Sequence, residues 1–198
     1  MRPAPLPPHE AHRLAVLREL DLLDSAPDGG FDALVQSAAR LTDCPIALLT
    51  LVDDERVWAK AAHGTPLREL PRELSFCTHA ILGESLLEIP DARDDARFAD
   101  HPLVAGEPHL RFYAGMPLVF RDVALGTLCV LDTRPRRLSA EQGAALGDLA
   151  RVAAELVRSH ARMKALDAEQ RRLLDFGRAS GDWMWETDAE LRTTWVSQ

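Results

Sequence analysis

The spacing of apolar residues changes twice along the chain, and each change marks a new kind of structure. From Glu10 onward Leu14, Leu17, Leu20 and Leu23 recur every three residues, the pattern of an amphipathic helix. The Ser-Ala-Pro-Asp-Gly-Gly stretch at 25–30 breaks it. Phe31, Leu34, Val35, Ala38 and Leu41 then predict a second helix with one apolar face. It stops before Pro45, because proline disfavours helical geometry in the residue before it.

Beyond Pro45 the period shortens. Residues 46–52 (IALLTLV) are a nearly continuous apolar run that reads as a central strand, and 56–62 reads as its hairpin partner across Asp53-Asp54-Glu55. A polar loop follows at 64–74. Ser75 is placed to cap a short helix over 76–82. Residues 86–89 predict a short strand ended by Pro90. The segment 91–108, rich in Asp, His and Pro, predicts a loop of the length that is usually functional or mobile. Two more strands are predicted at 112–120 and 125–131.

The second change of period comes at Ser139. Serine followed three residues later by Gln142 is a capping box, so a helix starts there, and no proline follows it. A seven-residue frame runs through Leu149, Val152, Leu156, Ser159, Met163, Leu166, Gln170 and Leu173, six of the eight being apolar. A narrow apolar stripe on a long polar helix predicts a parallel coiled-coil homodimer, with Leu149, Val152, Leu156, Met163, Leu166 and Leu173 at its seam. A helix folded back on its own domain is the other reading. Together the elements predict an α+β fold. Its antiparallel sheet carries helices packed on one face and a pocket under loops on the other, and a long C-terminal helix leaves it.

Composition narrows the function classes. The 198 residues suffice for one well-cored domain and an appendage. A formal charge of −8 provides no basic field for a phosphate backbone, so direct nucleic-acid binding is not expected. Three cysteines, an odd and sparse count, argue against a disulfide framework and for a reducing, cytoplasmic setting. The Pro-rich stretch 1–8 has no apolar run of signal-peptide type, and no segment approaches the ~20 apolar residues of a membrane span, so no direct membrane contact is expected.

Six segments in order resemble a GAF domain of the kind that precedes bacterial sensor kinases and cyclic-di-nucleotide enzymes. They are 13–27 (RLAVLRELDLLDSAP), 45–58 (PIALLTLVDDERVW), 74–81 (LSFCTHAI), 90–104 (PDARDDARFADHPLV), 109–118 (HLRFYAGMPL) and 125–138 (LGTLCVLDTRPRRL). The end of the chain, 182–198 (DWMWETDAELRTTWVSQ), resembles the opening of a PAS domain, with Trp185 on a first strand before an Asp188 turn, and is much shorter than a PAS core. The resemblance implies a disordered lead at 1–9, a GAF sensor domain at 10–138, a coiled-coil linker helix at 139–178 and the start of an incomplete PAS domain at 179–198. It implies a sensory, non-enzymatic fragment whose parent protein carries a kinase or diguanylate cyclase output. Such a fragment would bind a small molecule or partner and pass the signal through a dimeric helix. A ligand-free dimerisation scaffold is the alternative reading.

For chemistry, Cys77 stands near the start of a short helix, where a thiol pKa can be lowered, and His79 is two residues on. Some GAF relatives reduce methionine sulfoxide or attach a tetrapyrrole through cysteine. The matching second position falls near Val104–Gly106, where this chain has no cysteine, so a Cys77-dependent redox enzyme is the remote alternative. Cys44 and Cys129 read as core residues. The better candidates for a ligand site lie in the loop and the strand after it: Asp91, Arg97, Phe98, His109, Arg111 and Tyr113, beside Cys77 and His79. Arginine there could clamp an anion while the aromatic stacks on a planar group. Equally, Asp91, Asp94 and Arg97 could satisfy their own loop. No spacing supports a metal site, no catalytic residue is assigned, and no cofactor is indicated. The Asn-Lys-Phe-Asp-Glu type motif of cyclic-nucleotide GAF domains is absent, as are a Gly-rich phosphate loop, GxSxG and HExxH.

Overall fold

The first apolar stripe folds as helix α1 (Glu10–Glu19), but its buried face is turned onto Arg13, Val16 and Leu17, leaving Leu14 half-buried. The computed structural model, which describes residues 3–180 and 185–196, shows why a charged residue sits inward. The Arg13 guanidinium donates to the Val52 carbonyl at 2.7 Å and, through two nitrogens at 2.7 and 2.8 Å, to the Glu10 carboxylate. A buried charge held in this way is paired and hydrogen-bonded, which is the condition for burying one at all. Helix α2 (Gly29–Thr42) begins at Asp28, whose carboxylate accepts from the Gly30 amide, and buries Phe31, Leu34, Val35 and Ala38. Leu41, predicted on the same face, is exposed.

Six strands form one antiparallel sheet: β1 (Ile46–Val52), β2 (Arg56–His63), β3 (Glu69–Pro71), β4 (Leu87–Ile89), β5 (Phe112–Phe120) and β6 (Val123–Asp132), in the order β3-β2-β1-β6-β5-β4. β1 and β6 are central and covered on both faces, which explains their continuous apolar runs. Alternation sorts their side chains. Leu48, Val52, Cys129 and Leu131 join a cluster with helix α3 (Phe76–Ala80), while Ala47, Leu49, Leu51, Leu128 and Val130 are buried on the side of α1 and α2. Two loops contain more structure than predicted. The 64–74 segment holds β3 and a 3-10 turn (Arg72–Leu74), with Arg56 paired to Glu69 at 2.6 Å, and 91–108 holds the single turn α4 (Pro102–Ala105).

Helix α5 (Ala140–Ser180) starts with the predicted capping box: the Gln142 amide donates to Ser139 Oγ at 3.1 Å and the Ser139 amide to Gln142 Oε1 at 3.0 Å. Its early turns pack on the domain. Leu146, Ala150, Ala153 and Val157 are buried, Leu156 closes against Gly30 of α2, and Gln142 donates to the Leu41 carbonyl. The predicted seam is therefore divided. Leu149 and Leu156 are half-buried within the domain, whereas Val152, Met163, Leu166 and Leu173 are exposed. The free-standing linker expected from 139 is, up to Arg158, part of the domain's own packing.

Residues from Ser159 form a second unit. Its hairpin pairs β7 (Trp185–Thr187) with β8 (Thr193–Val196), and the Asp188 carboxylate ties the turn by accepting from the Glu190 and Arg192 amides. Trp183 and the side chains of Trp185 and Trp195 lie outside the described residues. The predicted lead at 3–9 carries no helix or strand. Among the described residues no helix is long and apolar enough to cross a membrane.

Candidate functional site

On the α3 side of the sheet is a small, mainly apolar cavity of about 60 Å³, lined among others by Leu48, Thr50, Phe76, Cys77, Tyr113 and Cys129. Its position follows from local rules. Ser75 caps α3, its Oγ accepting from the Cys77 amide at 3.1 Å, and the short helix lays Phe76 and Cys77 on the sheet. Gly115, opposite Cys129 in the β5–β6 ladder, leaves the space that the Tyr113 ring and hydroxyl occupy; a Cβ at that position would collide with both.

Five polar side chains meet at the inner wall. Cys77 Sγ is 3.9 Å from Cys129 Sγ, and the Tyr113 hydroxyl donates to Cys77 Sγ at 3.6 Å. Thr50 and Thr127, cross-strand partners in the β1–β6 ladder, bring their hydroxyls within 3.0 Å of each other. All five are buried. The neighbouring Cys129 thiol and, after it, the nearby hydroxyls of Thr127, Thr50 and Tyr113 hold the Cys77 pKa below the ordinary thiol value, against burial. Cys129 moves the opposite way, held well above the ordinary value by its bond to Cys77 and by burial. With the sulfurs 3.9 Å apart, a thiolate on either is held by the S–H of the other, so the two titrate as one pair. Tyr113 is raised by burial and by the neighbouring sulfurs, and stays a neutral donor. α3 is too short for its dipole to matter here; the hydroxyl and thiol donors do the work expected of it.

The other candidate residues do not converge on this cavity. Phe98 is fully buried beside it, stacked on Phe76 at 4.4 Å, and His79 meets its edge at 4.8 Å. Asp91 accepts the Arg93 guanidinium, and Arg97 is held by Asp95 while lying over the Phe98 ring at 5.0 Å. Both ion pairs stay within the loop. Arg111 donates to the carbonyls of Val104 and Leu110, so its guanidinium ties the loop down. His109 is exposed, 3.7 Å from Glu107. At 104–106 the chain has a buried Val104 and no cysteine.

Three members of the inner cluster escaped the sequence reading: Thr50, Thr127 and Cys129. One signal was present. Each threonine interrupts an otherwise apolar central strand, and a hydroxyl there needs a partner. His101, in the 91–108 loop, has a structural role. It is fully buried, its Nδ1 accepts from the Leu103 amide at 3.0 Å, and its Nε2 meets the Leu74 carbonyl, to which it donates.

Comparisons with known proteins bear on the family and the fold. The GAF domain model matches residues 27–157. A cyclic di-GMP phosphodiesterase of Pseudomonas aeruginosa is 42% identical over 147 residues, which cover 74% of this chain and 25% of that protein, so the chain spans about a quarter of the curated relative it matches. The GAF domain of an Acinetobacter phosphoenolpyruvate-protein phosphotransferase superposes with a TM-score of 0.58 at 21% identity, over 77% of this chain and 95% of that one. A type II free methionine-R-sulfoxide reductase from Thermoplasma acidophilum gives 0.56 at 16% identity, over 67% and 92%. The blue-light-absorbing PixJ GAF domain of Thermosynechococcus elongatus gives 0.56 at 18%, over 73% and 90%. The solved structures share the fold, and the family model spans the sheet together with the buried turns of α5: the chain belongs to the GAF family.

Proposed function

We propose that the chain is the sensory module of a larger cytoplasmic signalling protein, in which events on the α3 side of the sheet bias a dimer formed through α5. The observation that carries this is the continuity of α5. Its early turns are fixed on the domain by Leu146, Ala150, Ala153 and Val157, and the same helix runs on to Ser180 with Met163, Leu166 and Leu173 exposed. A second copy is the natural cover for such a stripe. A signal of this kind needs two arrangements of the domain that the input distinguishes. The hairpin at Asp188 is consistent with a PAS domain beginning at 179. The relative's name makes cyclic di-GMP turnover the proposed output of the parent protein, carried by regions other than this domain.

Sedimentation of the 198-residue chain tests the dimer. A dimer at micromolar concentration that Leu166→Glu converts to monomer is the expected result. A chain that stays monomeric at high micromolar concentration overturns the reading.

One observation favours a second reading, a scaffold that dimerises without a small-molecule ligand. The cavity beside Cys77, about 60 Å³, is well below the ~300 Å³ at which ligand pockets begin, so that wall encloses no ligand of ordinary size. Co-purified mass released on denaturation would decide against the scaffold.

A further inference from the structure

We propose that Cys77 and Cys129 are a peroxide-responsive dithiol, which a small hydroperoxide converts to a disulfide within the α3 side of the sheet. The proposal goes beyond the sensory reading and stands or falls without it.

Geometry carries the argument. The two sulfurs are 3.9 Å apart, so a disulfide needs them to approach by about 2 Å. They sit on different elements, the short helix α3 and the central strand β6. Both cysteines line the cavity, as do Leu67 and Arg68, which are exposed and mark where it reaches the surface. About 60 Å³ admits a few molecules of water size, which suits a small peroxide and excludes bulky oxidants. The Tyr113 hydroxyl donates to Cys77 Sγ, which favours a thiolate there in an otherwise apolar wall. Cys44 has a different setting. Its thiol contacts the Thr42 carbonyl, and burial raises its pKa.

The chemistry balances in two steps. The Cys77 thiolate attacks one oxygen of the hydroperoxide; a sulfur–oxygen bond forms, the oxygen–oxygen bond breaks, and the departing oxyanion takes a proton to leave as water or alcohol. Cys77 is now a sulfenic acid. Cys129 then attacks the Cys77 sulfur; the sulfur–sulfur bond forms, and the hydroxyl leaves with the Cys129 proton as water. Two thiols and one hydroperoxide become one disulfide, one water and one water or alcohol.

The test treats the folded 198-residue chain with hydrogen peroxide, blocks remaining thiols after denaturation, and maps the peptides. The expected result is a Cys77–Cys129 crosslink that dithiothreitol reverses, formed on the order of tenfold faster than any oxidation of Cys44. In Cys129→Ala the crosslink is lost and dimedone labels Cys77. Circular dichroism reports whether that variant is folded; if it is not, the wild-type map decides alone. Recovery of Cys77 and Cys129 as free thiols, oxidised no faster than Cys44, overturns the proposal. So does a crosslink that forms equally fast in the urea-unfolded chain.

Discussion

His101 joins two parts of the α3 side that lie far apart in sequence. Its ring caps α4 through Nδ1, holds the 3-10 turn through Nε2 and packs on Phe76 at 4.9 Å. Because Nδ1 must accept, the ring is neutral, and burial lowers its pKa below the ordinary 6.5. The unfolded chain therefore binds a proton that the folded chain refuses, in the window between that lowered value and about 6.5. This contribution to stability is fully present above the window and is lost as pH falls through it. Urea midpoints measured from pH 7.5 down to 5.5 are expected to fall, and to fall less in His101→Gln. His101→Ala, which leaves the Leu74 carbonyl and the Leu103 amide without their partner, is expected to cost about 1–3 kcal/mol at pH 7.5 in the same measurement. Gly126 is decided by close approach in a different way. It faces Leu51 in the central ladder, and a Cβ there would lie inside contact distance of the Thr50 carbonyl oxygen. Gly126→Ala must part β1 from β6, and a loss of about 3 kcal/mol or an insoluble chain is the expected outcome.

Helix α5 carries two stripes at once. Leu146, Ala150, Ala153 and Val157 face the domain, and the heptad positions run beside them. The heptad was the louder signal in the sequence because alanine scores weakly as apolar, so the inner stripe of small residues was passed over. Small residues are what let the helix lie close to α2, where Leu156 meets Gly30, and to β5, where Met116 lies beneath Gly147. Ala153→Leu is therefore expected to overpack this contact and cost about 1–3 kcal/mol in chemical denaturation. The start of the helix was legible in full, because a capping box is local: Ser139→Ala should cost about 1 kcal/mol in the same measurement. The loops were less legible. β3 forms because its residues 69–71 find the edge of β2, and that edge is not visible in a polar, Pro-containing stretch.

The domain closes on itself by Arg158, with the sheet covered on one side by α1, α2 and the early turns of α5. A chain ending at Arg158 is expected to unfold cooperatively with a melting temperature within a few degrees of the longer chain, and to sediment as a monomer. Loss of cooperative unfolding would show that 159 onward completes the core. The α+β class, the two front helices, the four longest strands and the capped exit helix were determined by the sequence itself, since each rests on a period or a cap written in neighbouring residues. The candidate site was legible in part. Cys77, Tyr113 and Phe98, singled out in the sequence as unusual residue types in strong motifs, share one core cluster. Tertiary structure alone placed Cys129, Thr50 and Thr127 around Cys77, committed Arg111, Arg97 and Asp91 to their own loop, and turned Arg13 inward. The physical reason is common to all of them: a side chain's partner is set by ladder register and by which face of the sheet a helix covers, and neither is encoded within the few residues around it.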